Sequence, residues 1–374
     1  MNIKTKEFNM NKLKKLGLTA LGTSLVASSA IAADASLTGN VGYTWSSEEV
    51  GTSTTDGIGY EADFNMVVSG EMDNGWTATG SLLLTESATL SSSWTSLTMG
   101  SMGTIIVGNG YGGVGQAFDD VTPRADEENH DGMKTSTAID NIGASMDNGQ
   151  ILYMSPAFDI GGFSASLMAE YAPEASDAAV TDGGVSTSSN LWSSGQGLGI
   201  KVSGMGISAG AYASEKSADA SDTEVSGDSM NATWHVSYTA GPVSFGYQTG
   251  GADNALVVGT DSATRTTRTA GAEAATAAKT YAAAGGIFEY DKMSIAANVN
   301  DNLSISWGEL KETYDAQDGS NSVADVEMKS TSIQFAYSMG SMSVKGYMTD
   351  TDNPGWDSDA ESDEVTELAV GFSF

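Results

Sequence analysis

The chain has 374 residues, with 16 Lys and Arg against 48 Asp and Glu, a formal charge of −32, and no cysteine. That balance excludes a nucleic-acid groove, which needs clustered Lys and Arg, and any fold must hold without disulfides. Forty-five glycines beside only five prolines favour many strands over a disordered polymer, because low-complexity disorder usually brings proline enrichment.

In chain order, the first element is a leader. Lys12, Lys14 and Lys15 precede the uncharged stretch "LGLTALGTSLVASSAIAA" from Leu16 to Ala33, which contains Ala30-Ile31-Ala32, an A-x-A site. A basic start, a short apolar run and small residues before the cut predict a secretory signal peptide over 1–32, with cleavage before Ala33. Met10 restarts a conventional leader and is an alternative start. The leader carries Lys4, Lys6, Lys12, Lys14, Lys15 and Glu7, so the mature 33–374 chain keeps 11 basic and 47 acidic residues, a formal −36. So acidic a surface suits salty, cation-rich water. No later stretch approaches a spanning helix of about 20 apolar residues.

Period-two segments then recur. "LTGNVGYTW" comes first; in "GYEADFNMV" Tyr60, Ala62, Phe64 and Met66 form an oily face opposite Glu61 and Asp63. "LGIKV", "TWHVSY", "VSFGYQ", "LSISWG" and "TSIQFAYS" behave alike, each with one apolar face and one face of Ser, Gly, Gln or Lys. The chain ends "VTELAVGFSF", with Leu368, Val370, Phe372 and Phe374 on one side and Glu367, Ala369, Gly371 and Ser373 on the other.

The spacers decide how the strands connect. Tight-turn residues stand at 73–75, 101–103, 158–162, 204–206, 241–242, 300–302 and 340–341. Between them lie longer polar stretches near 46–57, 85–93, 111–148, 172–194, 215–230, 251–286, 311–326 and 350–365. Seven short turns make seven hairpins, and one strand at each terminus brings the count to sixteen. Short and long connections alternate strictly, so all long loops fall on one side. A soluble sandwich has no reason to segregate its loops in this way. A membrane barrel does: oily residues face lipid, polar ones face a wet lumen, and the closed ladder leaves no edge. The expected fold is all-β, a transmembrane sixteen-stranded antiparallel barrel. The last strand must pair with the first, and Phe374 then joins an interfacial aromatic girdle.

Along "GSMGTIIVGNGYGGVGQAFDD" and "GQILYMSPAFDIGGFSASLMAEYAP", with the terminal Phe374, the chain resembles the general bacterial porins of the Gram-negative outer membrane. The resemblance implies that the loop 111–148 folds into the barrel and narrows it. It also implies a homotrimer, contact with outer-membrane lipid and lipopolysaccharide, and recognition of the carboxy-terminal strand by the barrel-insertion machinery. The scarcity of arginine departs from that family's usual pore wall.

The candidate selectivity residues on the loop are Asp119, Asp120, Arg124, Glu127, Glu128 and Asp131. On the wall they are Glu61, Asp63, Glu170, Lys201 and Lys345, all inward by alternation. Clustered carboxylates concentrate cations and repel anions, so the expected activity is passive diffusion of small hydrophilic solutes with a cation preference. Two other readings stand beside it: a substrate-specific channel, and a surface structural or adhesive barrel displaying acidic loops. No cofactor is expected. The acid clusters at 119–131 and 350–364 could hold structural Ca²⁺ or Mg²⁺, although neither has the spacing of a dedicated loop. Of the two histidines, His130 and His235, the second faces the lumen as a wall residue. No zinc spacing, Walker loop or nucleophile elbow is present, so an enzyme is not expected. The stretch 270–286 is helix-like in composition.

Overall fold

The computed structural model describes residues 34–85, 90–109, 113–128, 138–139, 142–143, 146, 148–175, 192–219, 227–253, 286–315, 326–356 and 360–374. The leader 1–32, Asp131, His130 and nearly all of the helix-like stretch lie outside them. The strands are β1 (Asp34–Val50), β2 (Ser53–Glu71), β3 (Thr77–Leu84), β4 (Leu90–Thr98), β5 (Thr104–Asn109), β6 (Asn148–Met154), β7 (Phe158–Ile160) and β8 (Phe163–Ala172). Then come β9 (Trp192–Gly204), β10 (Ile207–Ala218), β11 (Ser229–Ala240), β12 (Val243–Asp253), β13 (Ile287–Asn298), β14 (Leu303–Asp315), β15 (Val326–Met339), β16 (Met342–Asp352) and β17 (Asp363–Ser373).

Each strand pairs antiparallel with its sequence neighbours, with one local exception. Both β6 and β7 pair with β8, through Met154↔Met168 and Phe158↔Ala165. They are two halves of one stave interrupted at Ser155-Pro156-Ala157, where proline has no N–H to give the ladder. The barrel therefore has sixteen staves. It closes where β1 meets β17, with Val41 opposite Phe372, and the Phe374 N–H donates to the Gly39 carbonyl at 2.8 Å. A sheet without a border has no edge to fray or aggregate. The Phe374 ring, 78% exposed, points outward, and with it Leu368, Trp234, Tyr238, Phe245, Phe335 and Tyr337. These exposed apolar side chains are what a sheet solvated by hydrocarbon presents.

All seven short turns fall where the turn residues stand. At 73–75 the chain reverses through Gly75 at φ +78°, a conformation that glycine adopts without strain. At 300–302 the Asn300 side chain accepts from the N–H groups of Asn302 (2.9 Å) and Leu303 (3.0 Å), an Asx turn.

The long connections are shorter than expected, as three of them illustrate. The stretch 46–57 is strand closed by a two-residue turn, with Val50 opposite Ser53. The strands β14 and β15 run into 311–326, and β16 runs to Asp352. At the outer ends of β13–β15 the ladders continue because the polarity of the two faces inverts. On β14 the outward Ile305 and Trp307 give way to Glu309 and Lys311, while Leu310 turns inward and is buried. Glu309 pairs outside with Lys329 at 3.1 Å. Inside, Phe288 stacks on Tyr314 (4.6 Å between centroids) and both meet Trp356, from the 3-10 turn Pro354–Trp356 between β16 and β17. Above the membrane, water is outside and packing is inside, so ladders continue with their faces exchanged.

Candidate functional site

After β5 the chain turns into the barrel and runs along the inner wall. Its 3-10 turn, Gly115–Phe118, lies against β10 and β11. Phe118 is fully buried, stacked on Tyr212 at 5.5 Å and facing His235 at 6.0 Å. Room for its ring exists because Gly199 on β9 has no side chain: a Cβ there would meet the ring edge. Further on, Gly246 of β12 does the same for Pro123. The Pro123 carbonyl accepts from Ser294 at 2.6 Å, and Ala125 N–H donates to the Ser306 hydroxyl at 2.9 Å. The described part of the loop thus lies against the wall from β8 to β16, and a cavity remains beside β1, β2 and β17.

The wall and loop acids separate into two groups. The first is buried and holds the loop. Glu170 on β8, 4% exposed, accepts from the Val114 N–H at 2.6 Å and from the Tyr212 hydroxyl. Asp120 is buried in an ion pair with Lys292 of β13, accepts from Thr122 at 3.0 Å and lies 3.8 Å from Arg124. Asp119 sits near the same lysine. Lys201 lies under the loop with its ammonium 5.0 Å from the centre of the Phe118 ring, a cation–π geometry. Arg124 also pairs with Glu128 at 3.2 Å. Glu170, Asp119, Asp120 and Lys201 are inward, as alternation and loop entry predict, but they stand beneath or at the root of the loop.

The second group lines the open passage. Glu61 of β2, Asp126 and Glu127 of the loop, and Glu367 of β17 meet Lys345 of β16 there, with Asn40 and Asn65 between them. Asn40 donates to Glu61 at 3.2 Å, and Asp63 lies beside Glu61 on the same face. Lys345 is held by Asp126 at 2.7 Å. Burial pushes the Asp126 carboxyl above its ordinary value, a shift that the Lys345 ammonium opposes. Among the described residues, five carboxylates thus face one lysine, and that lysine is already paired.

The structure brings together Glu61, Asp63, Glu127 and Lys345 of the sequence candidates. The sequence reading did not single out Asp126, Glu367 or Lys292. Glu367 was legible from its place opposite Leu368, and Lys292 from the period of β13; Asp126 lies in a run without periodicity. Among the described residues, no group of three His, Asp or Glu side chains is arranged to hold a metal ion.

A closed barrel with an oily outer belt and a loop-narrowed, carboxylate-lined interior is a membrane pore. The sequence profile of the Gram-negative porin family matches residues 17–308, and the chain belongs to that family, a class of outer-membrane barrels. Curated protein sequences give no match. Among solved structures, OmpF of Salmonella typhi, in complex with daunomycin, superposes with a TM-score of 0.66 at 13% identity, covering 91% of this chain and 97% of that one. The trimer form of OmpT, an outer membrane protein of Vibrio cholerae, gives 0.59 at 12% identity over 92% and 100%. OprB of Pseudomonas putida gives 0.58 at 10% over 96% and 97%. At such identities the likeness speaks for the fold alone.

Proposed function

We propose that this protein is a general diffusion porin that passes small hydrophilic solutes with a preference for cations. The supporting observation is the charge of the open passage, where, among the described residues, Glu61, Asp63, Asp126, Glu127 and Glu367 gather around Lys345, with the loop's Arg124 near Asp126. A narrow lumen with a net negative wall raises the local cation concentration and excludes anions. The asymmetry also explains the departure from an arginine-lined pore wall: the loop's Arg124 is tied to Asp120 and Glu128. A homotrimer is part of the proposal, in line with the trimer form of the Vibrio cholerae barrel. So are export by the leader 1–32 and a role for the carboxy-terminal strand in insertion. The test is the reversal potential of the purified protein across a salt gradient in a planar bilayer. A cation-selective, ohmic pore is expected; an anion-selective pore, or a bilayer without conductance, refutes the reading.

A further inference from the structure

Where a backbone segment is pressed against the barrel wall it loses water on that side, so the N–H and C=O groups facing the wall need a partner there. Here three glutamines supply them in the same way. Gln248 on β12 is fully buried; its carbonyl oxygen accepts the Val121 N–H at 2.9 Å and its amide nitrogen donates to the Phe118 carbonyl at 2.6 Å. Gln334 on β15 is 2% exposed; it accepts the Asp126 N–H at 3.1 Å and donates to the Glu127 carbonyl at 2.7 Å. Gln150 on β6 is also fully buried. In the amide orientation that its neighbours require, it accepts the Gly113 N–H at 2.9 Å and donates to the Met146 carbonyl at 2.7 Å, so it ties the entry and exit of the loop together.

A glutamine ends in the same planar amide that makes up a backbone, with an acceptor and donors on one edge. Each of the three therefore engages the loop as a neighbouring strand would, with one bond in each direction. It does so without adding charge to a passage whose charge sets its selectivity. Ser294 and Ser306 elsewhere on the wall take one loop backbone group each, and the Glu170 carboxylate only accepts, from the Val114 and Gly115 N–H groups.

We infer that these inward glutamines are positioning residues that fix the constriction loop. Gln334 fixes selectivity as well, because the two backbone groups it holds belong to Asp126 and Glu127. Its bonds set where one carboxylate meets Lys345 and where the next projects into the passage. Gln248 holds the Phe118 end, away from those acids. The inference rests on the proposed pore, and wild-type conductance separates the two: without it the pore reading itself fails.

Single channels of wild type, Gln334→Met and Gln248→Met are compared in planar bilayers. Both variants keep side-chain volume and lose both bonds. Open-channel current noise is expected to rise several-fold in each, whereas the cation-to-anion permeability ratio falls about two-fold or more only in Gln334→Met. Gln334→Glu supplies a reversible arm and carries the test if the methionine variant fails to fold. As a carboxylate it cannot donate to Glu127, and as a carboxylic acid it can, so its excess noise over wild type at the same pH shrinks on acidification. Wild-type noise and selectivity in Gln334→Met, or excess noise in Gln334→Glu that ignores pH, overturns the inference.

Discussion

Neutralising Glu61 and Glu127 together, as Glu61→Gln and Glu127→Gln, is expected to remove most of the cation preference while leaving the pore open. Among the described residues the passage carries five acids and one lysine, a net charge of 1 − 5 = −4. An ion at mid-lumen, about 8 Å from each group and so about one Debye length away at 0.15 M salt, gains or loses ~0.2 kcal/mol per wall charge. Four net charges contribute about 0.8 kcal/mol, with opposite sign for the two ions, which gives a cation-to-anion ratio of roughly 15. With two acids neutralised, the ratio falls to about 4. In 1 M salt, where the Debye length is about 3 Å, the wild-type ratio itself falls to about 1.6. Reversal potentials at both ionic strengths read these values directly. A double variant with the wild-type ratio at low salt would show that these two side chains do not face the permeating ions, and a ratio indifferent to salt would show that selectivity is not electrostatic.

Asp126 titrates above its ordinary 3.8 because burial outweighs its lysine partner. As pH falls toward that raised value it takes up a proton, the Lys345 ammonium loses its nearest counter-charge, and cation preference weakens; Asp126→Asn is expected to show that weaker preference already at neutral pH. Glu170→Ala strands the buried Val114 N–H and Tyr212 hydroxyl. At about 1–3 kcal/mol for each stranded group, the unfolding midpoint in detergent should drop, and Glu170→Gln, which keeps an acceptor, should recover part of it. Phe374→Ala removes an aromatic side chain from the lipid face of the closing strand, a loss of roughly 1.5–3 kcal/mol, read as a smaller folded, heat-modifiable fraction on a gel.

The staves were legible because alternation is a local signal. Once one strand has an oily face, the opposite face is fixed by the geometry of a pleat, and Glu61, Lys345 and Glu367 point inward for the same reason that Tyr60 and Leu368 point outward. Turn positions were legible because φ-permissive and Asx residues mark them one by one. The outer strand ends were not. Lys311 and Tyr314 read as loop because the period-two reading assumed lipid outside and water inside, whereas beyond the membrane the inward positions are Leu310 and Tyr314.

The path of the infolded loop was hidden for a different reason. A segment without regular structure takes its shape from whatever it lies against, and here the wall is written in residues spread across the chain. Gly199 and Gly246 look like weak points in their strands, yet each clears space for a loop ring, Phe118 in one case and Pro123 in the other. Gln248 and Gln334 look like ordinary polar wall positions, yet their amides meet a backbone 127 and 208 residues earlier. Total charge misleads for the same reason. Most of the acids among the described residues do not line the passage, and screening by salt water weakens the action of a distant charge on an ion in it. On the proposed reading, selectivity depends on which few carboxylates the wall holds in the passage, and of the loop acids Asp119, Asp120, Asp126 and Glu127, only the last two line it.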